Sequence, residues 1–559
     1  MATPKDITEQ LAEQRRAAEE ADAKRRAAQV GFPYLNLIST TVPTEIKALR
    51  LVPRAEAEQA LLTPLQLVGK KLAVAAVNPT SPGAAAIIAR LKTNYELEVF
   101  VASLSGVRHG LSYYQYVTDE TKDISGRVAI NQKNLESAKE QIKTIDAFKG
   151  AVTSFESPLV SQMLEIILAG SLALGASDVH LEANEATGVL RIRIDGLLHT
   201  IDEALEKHVY LSLVSRVKLL SNLKLNIHTE AQDGRFTIET QDRNIEIRTS
   251  VIPSEYGETI VLRLLDPLAL KVDLESLGWR ADDLAIVQRE IRKPNGLILN
   301  TGPTGSGKTT TLYAFLKYTF RPEIKVITIE DPIEYHLEGI SQTQVNPGVG
   351  YTFASGLRSI LRQDPNIILV GEIRDEETAE IAMNAALTGH VVFSTLHTND
   401  AVGAIPRLID LGAKPQVVGP ALSLVIAQRL VRVLCPKCRV AQPIDASFRA
   451  KIAAFLTHLP ARVDRAPYAA PSLYEPKGCE HCGNLGYRGR ISIFELFEVT
   501  EAIEQAIYRN PTEIELKTLS RAQGMTTMQE DGILKALTGQ TSLAEVERLT
   551  GVIEWPSAS

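Results

Sequence analysis

The sequence lacks any long hydrophobic run. None approaches the ~18 apolar residues that span a bilayer, and the longest candidate, Met163 to Ala176, is broken by Glu165. The N-terminus is rich in Ala and charge, with no apolar signal-peptide core. The expectation is a cytosolic chain whose membrane role comes through a partner. Aromatic residues are few, at 5%, and cysteines number only four. That excludes a disulfide-built scaffold. An excess of positive charge is missing too: 60 Lys plus Arg against 67 Asp plus Glu give a formal net charge of -7. With no interleaving of aromatic and basic residues, no direct nucleic-acid partner is expected. What remains is ordinary globular composition, 45% hydrophobic and 23% charged over 559 residues, enough for three or four domains at ~150 residues each.

The chain divides by composition. Residues 1–29 read as a polar helical lead-in, solvated or partly disordered, with a partner-docking helix as the minority reading. Residues 30–117 mix short apolar strands, such as Lys71 to Val77, with helical segments such as Pro82 to Leu91, as in a small α/β domain. Residues 118–150 are polar and read as a linker, partly helical. Residues 151–270 open with an apolar helix, Ser157 to Gly175. There follow strands with period-2 alternation, Leu190, Ile192 and Ile194 and then Ile245, Ile247 and Thr249, with a hairpin signal at Asp195-Gly196. This α+β domain carries arginines on its polar face. Residues 280–430 alternate strand and helix as a parallel α/β sheet does. Residues 431–495 hold all the cysteines, and 496–559 are helical, with stops at Gly524 and Gly539.

The sharpest motif is Gly302-Pro303-Thr304-Gly305-Ser306-Gly307-Lys308-Thr309, which fits G-x-x-x-x-G-K-[ST]. An apolar strand, Gly296 to Asn300, runs into it and a helix pattern runs out of it through Thr310. Glycines let backbone amides face phosphate oxygens at a helix N-terminus. Lys308 is placed to neutralise β- and γ-phosphates, and the Thr309 hydroxyl to ligate Mg²⁺. The guanine-reading N-K-x-D motif is missing, so ATP is the expected nucleotide.

Hydrolysis also needs groups that order Mg²⁺ and water, and in α/β sheets these stand at the carboxyl ends of strands. Lys325 to Ile329 ends in Glu330-Asp331-Pro332. Asn366 to Val370 ends in Gly371-Glu372, resembling a Walker B strand. Glu330 is the candidate for positioning or deprotonating water and Glu372 for organising Mg²⁺ and water, and these two roles are exchangeable. A further strand, His390 to Thr395, ends in Leu396-His397-Thr398-Asn399. His397 is thus a candidate phosphate sensor, whereas His390, at the opposite end, reads as structural. Cys435-x-x-Cys438 and Cys479-x-x-Cys482 have zinc-knuckle spacing with forty residues between the pairs. Four thiolates with no open position make a structural Zn²⁺ site, not a catalytic one.

These blocks resemble the ATPases of type IV pilus assembly and type II secretion. Ile327 to Tyr335 is similar to their Asp box, Leu357 to Asp375 to their Walker B block, and Thr388 to Asn399 to their His box. Ala176 to His180, Gln232 to Arg235 and Gly478 to Arg490 also fit. Ala231 stands where the family usually has Pro, and Asn366 where it often has Asp. The resemblance implies a RecA-like P-loop ATPase domain, preceded by a PAS-like α+β domain and a small N-terminal domain, with a zinc-knuckle insertion and a helical C-terminus. It implies a homohexamer with nucleotide between two domains, Arg235 and Arg248 reaching it and Arg193 and Arg263 as weaker candidates. Arg358 and Arg362 would bridge to nucleotide or to a neighbouring subunit. Strokes would turn about the Asp266 to Arg280 connection, and the motor would be recruited through an inner-membrane platform protein to the cytoplasmic face of that membrane. The tetracysteine motif argues against the pilus-retraction branch, and the wide cysteine spacing favours pilus assembly. Type II secretion is the alternative, and a nucleic-acid translocase of the same superfamily a more distant one. The R-x-L-G-like pattern with which some members bind cyclic di-GMP is not found in residues 1–60, so that ligand is not expected.

Overall fold

In a computed structural model, residues 4–39, 42–117, 127–129, 132–154, 160–240, 243–267 and 272–556 are described. Two compact units share the chain. One holds residues 1–142, 148–194 and 198–264, the other 143–147, 195–197 and 265–559.

The first unit contains two sheets. Strands β1 (Leu62–Val68), β2 (Lys71–Ala76) and β3 (Glu96–Val101) form the smaller. Its core includes Leu219 and Leu225, so residues 30–117 and part of the following domain share one apolar cluster. The larger sheet is built from β4 (Arg127–Ala129), β5 (Ala176–Ala183), β6 (Thr187–Ile194), β7 (Leu197–Glu206), β8 (Gln232–Glu239), β9 (Asn244–Ser254) and β10 (Gly257–Leu265), in the order β4-β8-β9-β10-β5-β6-β7. Alternating burial along β6 follows its alternating sequence, apolar inward and arginine outward.

Two expectations change here. The lead-in is a helix, Pro4–Val30, and its second half is exposed over most of its surface but docked along one stripe. Ala23 and Ala27, four apart on one face, are buried. Glu20 accepts from Tyr34 Oη at 2.6 Å and from Ser103 Oγ at 2.7 Å. Small side chains and two carboxylates, Glu20 and Glu19, the latter accepting from the Ser105 amide at 3.1 Å, let a polar sequence pack. The linker is also more structured than its composition suggests. Residues 118–126 lie outside the described residues, but β4 adds an edge strand parallel to β8. Helices Gln132–Gln141 and Ile145–Thr153 follow, the second burying Phe148 and Val152. The helix expected from Ser157 runs Val160–Ala173, and residues 155–159 lie outside the described ones.

In the second unit, seven strands form the core sheet: β11 (Gly296–Thr301), β12 (Val326–Glu330), β13 (Ser341–Gln344), β14 (Ile367–Val370), β15 (Val391–Leu396), β16 (Leu422–Leu434) and β19 (Tyr487–Glu498). Their order is β13-β12-β14-β15-β11-β16-β19. Neighbouring strands from β13 to β16 run parallel, and β19 is antiparallel to β16. Fully buried strands such as β11, β12 and β15 carry near-continuous apolar runs, as a sheet covered on both faces requires. A two-stranded sheet, β17 (Val440–Gln442) with β18 (Leu473–Glu475), stands in the cysteine segment. Four helices between Glu501 and Thr550 complete the unit.

Candidate functional site

The carboxyl ends of β11, β12, β14 and β15 lie side by side, and the motif residues of the second unit sit on them. β11 delivers the glycine-rich loop, and the helix Lys308–Thr319 leaves it. Gly302, Gly305 and Gly307 all have positive φ, 150°, 80° and 93°. At Gly302 a Cβ would stand 2.7 Å from both the Gln428 carbonyl oxygen and Ser306 Oγ, so only glycine fits. Pro303, Thr304, Gly305 and Thr309 are exposed, and Gly307, Lys308 and Thr310 are half-buried. Ser306 is buried, and its Oγ has no hydrogen-bond partner.

Lys308 Nζ donates to the carbonyls of Gly302 at 2.8 Å and Pro303 at 3.0 Å. Burial pushes its ammonium down to about 8, partly offset by the nearby Glu372 carboxylate and reinforced by the Arg429 guanidinium. A cation held among carbonyls, destabilised by burial and by a second cation, is what a site for phosphate anions requires.

Glu372 and His397 meet beside this lysine. The Glu372 side chain is 12% exposed and pairs with Arg374, while its Oε2 lies 3.6 Å from His397 Nε2. His397 remains 52% exposed. Its loop is tied to the base of the phosphate loop, since Thr301 Oγ1 accepts from the Thr398 amide at 2.8 Å and lies 2.7 Å from Thr398 Oγ1. His390, at the far end of β15, has Nδ1 2.9 Å from the Ala385 carbonyl oxygen, a structural contact.

Glu330 is placed differently from the expectation. It is 3% exposed. Its carboxylate accepts from Tyr313 Oη, from Thr328 Oγ1 at 2.5 Å and from Gln342 Nε2 at 3.1 Å. With its oxygens met by three donors, the carboxylate is placed as a strut between the strand, the helix and the neighbouring chain. Exposed Asp331 and half-buried Glu334 follow on the same loop.

Two residues went unseen in the sequence. Gln428 and Arg429, on β16, support the phosphate loop from behind. Gln428 Oε1 accepts from Asn300 Nδ2 at 2.8 Å and Thr311 Oγ1 at 2.9 Å, and its Nε2 donates to Ser492 Oγ at 2.9 Å. Arg429 donates to the carbonyls of Gln428 and Asn399, both at 3.0 Å. No local motif marks them, because only the β11–β16 register carries them to the loop.

Arg235 and Arg248 belong to the first unit, where they stand opposite one another on β8 and β9. Arg235 is exposed, and Arg248 Nε lies 3.7 Å from Glu246. Arg193 and Arg263 are engaged by a single carboxylate, Asp178, at 3.3 and 3.2 Å. In the second unit Arg358 pairs with Glu377, and Arg362 donates to the Arg358 carbonyl at 3.1 Å.

The four cysteines converge although forty residues separate the pairs. All four Sγ atoms lie within 4.8 Å of one another. Cys435–Cys479, Cys438–Cys482 and Cys479–Cys482 are each 3.8 Å apart. A tetrahedron with metal–sulfur bonds of ~2.3 Å has edges of ~3.8 Å, so this donor set fits Zn²⁺. The amides of Cys479 and Gly486 donate to Cys482 Sγ at 3.3 and 3.2 Å and fix its orientation.

Residues 154–548 match the Type II/IV secretion system protein family. The chain belongs to that family. Residues 30–121 match the MshEN domain. Among related proteins, Type II secretion system protein E of Aeromonas hydrophila is 45% identical over 397 residues, 71% of this chain and 76% of that one. The Type IV pilus assembly ATPase PilB of Myxococcus xanthus is 37% identical over 521 residues, 93% of this chain and 89% of that one. In three dimensions the chain is similar to the Legionella pneumophila ATPase DotB, with TM-score 0.51 and 20% identity, over 71% of this chain and 98% of that one; this likeness concerns the fold alone. The family, the phosphate loop and the carboxylate–histidine pair beside its lysine make the chain an ATPase. No helix among the described residues is long and apolar enough to cross a membrane.

Proposed function

We propose that the chain is the ATP-hydrolysing motor of type IV pilus assembly, a homohexamer that drives pilin polymerisation through an inner-membrane platform protein. The observation that carries this reading is the similarity to the Myxococcus xanthus pilus assembly ATPase, 37% identical across 93% of the chain. ATP is the nucleotide and Mg²⁺ its counterion. Residues Gly302 to Thr310 cradle the phosphates, Lys308 neutralises them, and Thr309 ligates Mg²⁺. Glu372 orders Mg²⁺ and water, His397 reads the state of the terminal phosphate, and Arg235 and Arg248 stabilise charge on the transferring phosphoryl group. Cys435, Cys438, Cys479 and Cys482 hold a structural Zn²⁺. The motor works in the cytoplasm against the inner membrane.

Type II secretion is the second reading. It is favoured by the higher identity to secretion proteins, 45% over 71% of the chain for that of Aeromonas hydrophila and 40% over 89% of the chain for that of Dickeya dadantii. Deleting the gene in the source organism separates the two. Lost surface pili with normal exoprotein export supports pilus assembly. Intact pili with exoproteins retained in the periplasm overturns it in favour of secretion.

A further inference from the structure

Tyr313 is a buried residue of the helix that begins at Lys308, four positions and thus one turn beyond Thr309 on the same face. Its neighbours, Leu312, Phe315, Leu316 and Phe393, form an apolar cluster that would accept phenylalanine equally well. The hydroxyl therefore needs its own explanation, because burying one without partners is costly. It has several. It donates to Glu330 Oε2. It also accepts from the backbone amides of Glu334 and Tyr335. Burial and the Glu330 carboxylate push the phenol's pKa far above its ordinary value, so it remains a donor at any working pH.

Glu330 and Gln342 extend the node. Gln342 Nε2 donates to Glu330 Oε1 at 3.1 Å and to the Tyr335 carbonyl at 2.9 Å, and its Oε1 accepts from the Leu337 amide at 2.7 Å. One phenol thus joins the helix bearing Lys308 and Thr309 to the loop bearing Asp331 and Glu334. The helix is a rigid element, so its placement by phosphate and Mg²⁺ fixes where Tyr313 stands, and with it the loop's amides.

We propose that Tyr313 is a positioning residue for hydrolysis, which holds the acidic loop 331–335 in register with the phosphate loop, with Glu330 as the buried strut between them. The inference rests on the ATPase reading of this site. It assigns Glu330 to the same unit as Tyr313 rather than to proton transfer.

The test uses the full chain, with Tyr313→Phe, Glu330→Gln and the double variant, measured for kcat, KM and equilibrium affinity for a fluorescent ATP analogue. Tyr313→Phe lowers kcat about tenfold while nucleotide affinity stays within about twofold, because geometry is lost and the phosphate contacts are not. The double variant is no slower than the slower single one, as members of one unit behave. Hydrogen exchange over residues 331–337 quickens in Tyr313→Phe, a readout available even if turnover is lost altogether. Wild-type kcat in Tyr313→Phe overturns the proposal, as do multiplicative losses in the double variant or unchanged exchange in the loop. Abolished turnover in Glu330→Gln alone, with Tyr313→Phe fully active, would make Glu330 the base instead. A wild-type chain that binds ATP without hydrolysing it defeats the ATPase reading itself, which is a different failure.

Discussion

Two charged clusters in the second unit are finished to different degrees. Around Arg280, every charge faces its opposite. Arg280 reaches Asp531 at 2.9 Å, Asp283 at 2.7 Å and Asp282 at 3.1 Å. Arg462 reaches Asp282 at 2.7 Å and Asp283 at 2.8 Å, and Lys535 pairs with Asp531. Three cations and three carboxylates cancel. At the phosphate loop the account is left open. Lys308 and Arg429 rest on carbonyl oxygens, and Ser306 Oγ has no partner. The closed cluster joins the start of the helix Ala281–Ile291 to the C-terminal helices. The open one holds positive charge in readiness for a ligand. Saturation marks structure, and deficit marks function.

Removing one member of each cluster sharpens that contrast. Asp531→Ala leaves Lys535 buried without its counter-ion and takes one of three carboxylates from Arg280, and should destabilise the fold by about 3–5 kcal/mol. Denaturant unfolding reads this, and a shift below 1 kcal/mol, taken as about the value of an exposed pair, would dissolve the distinction. Lys308→Ala and Glu372→Gln should act the other way round. Turnover falls by at least about 10²-fold, as when a preorganised charge is lost from a transition state, while the melting temperature holds. Near-normal turnover in Glu372→Gln would remove it from the chemistry. The smallest effect is in pH. Lys308 is held down to about 8 in the free protein, and bound phosphate favours its protonated form, so binding takes up a proton above that pH. Nucleotide affinity should therefore weaken as pH rises past 8, by up to about tenfold per unit. A flat affinity profile from pH 7 to 9.5 would show that Lys308 does not meet the phosphates.

The contrast also says what was legible in the sequence. The glycine loop, the strand ends and the cysteine pairs were, because each depends on spacing within a few residues. Partners brought by register were not. Gln428 lies on β16 and reaches the loop only through pairing with β11. Glu330 shows a second limit. Its place at the end of β12 was readable, but the direction of its side chain was set by Tyr313 and Gln342. The polar helix Pro4–Val30 shows a third, since two alanines, Glu19 and Glu20 suffice to dock it.

β16 and β19 are paired from Leu424 with Glu498 out to Leu434 with Tyr487, and the four thiols gather where that ribbon ends. An ion held there would pin the roots of the intervening chain as a cross-link does. For a flexible chain the entropy of closure grows only with the logarithm of length, and doubling the forty residues between the cysteine pairs would add about 0.6 kcal/mol. The exposed turns of this segment can thus lengthen at little cost, whereas its helix Ala446–His458 is tied into the core through Ile452 and Phe455. The spacing of the two pairs is then a poor guide to the choice between pilus assembly and secretion. It is also where the chain can lengthen and gain new surface without disturbing the sheet that carries the phosphate loop.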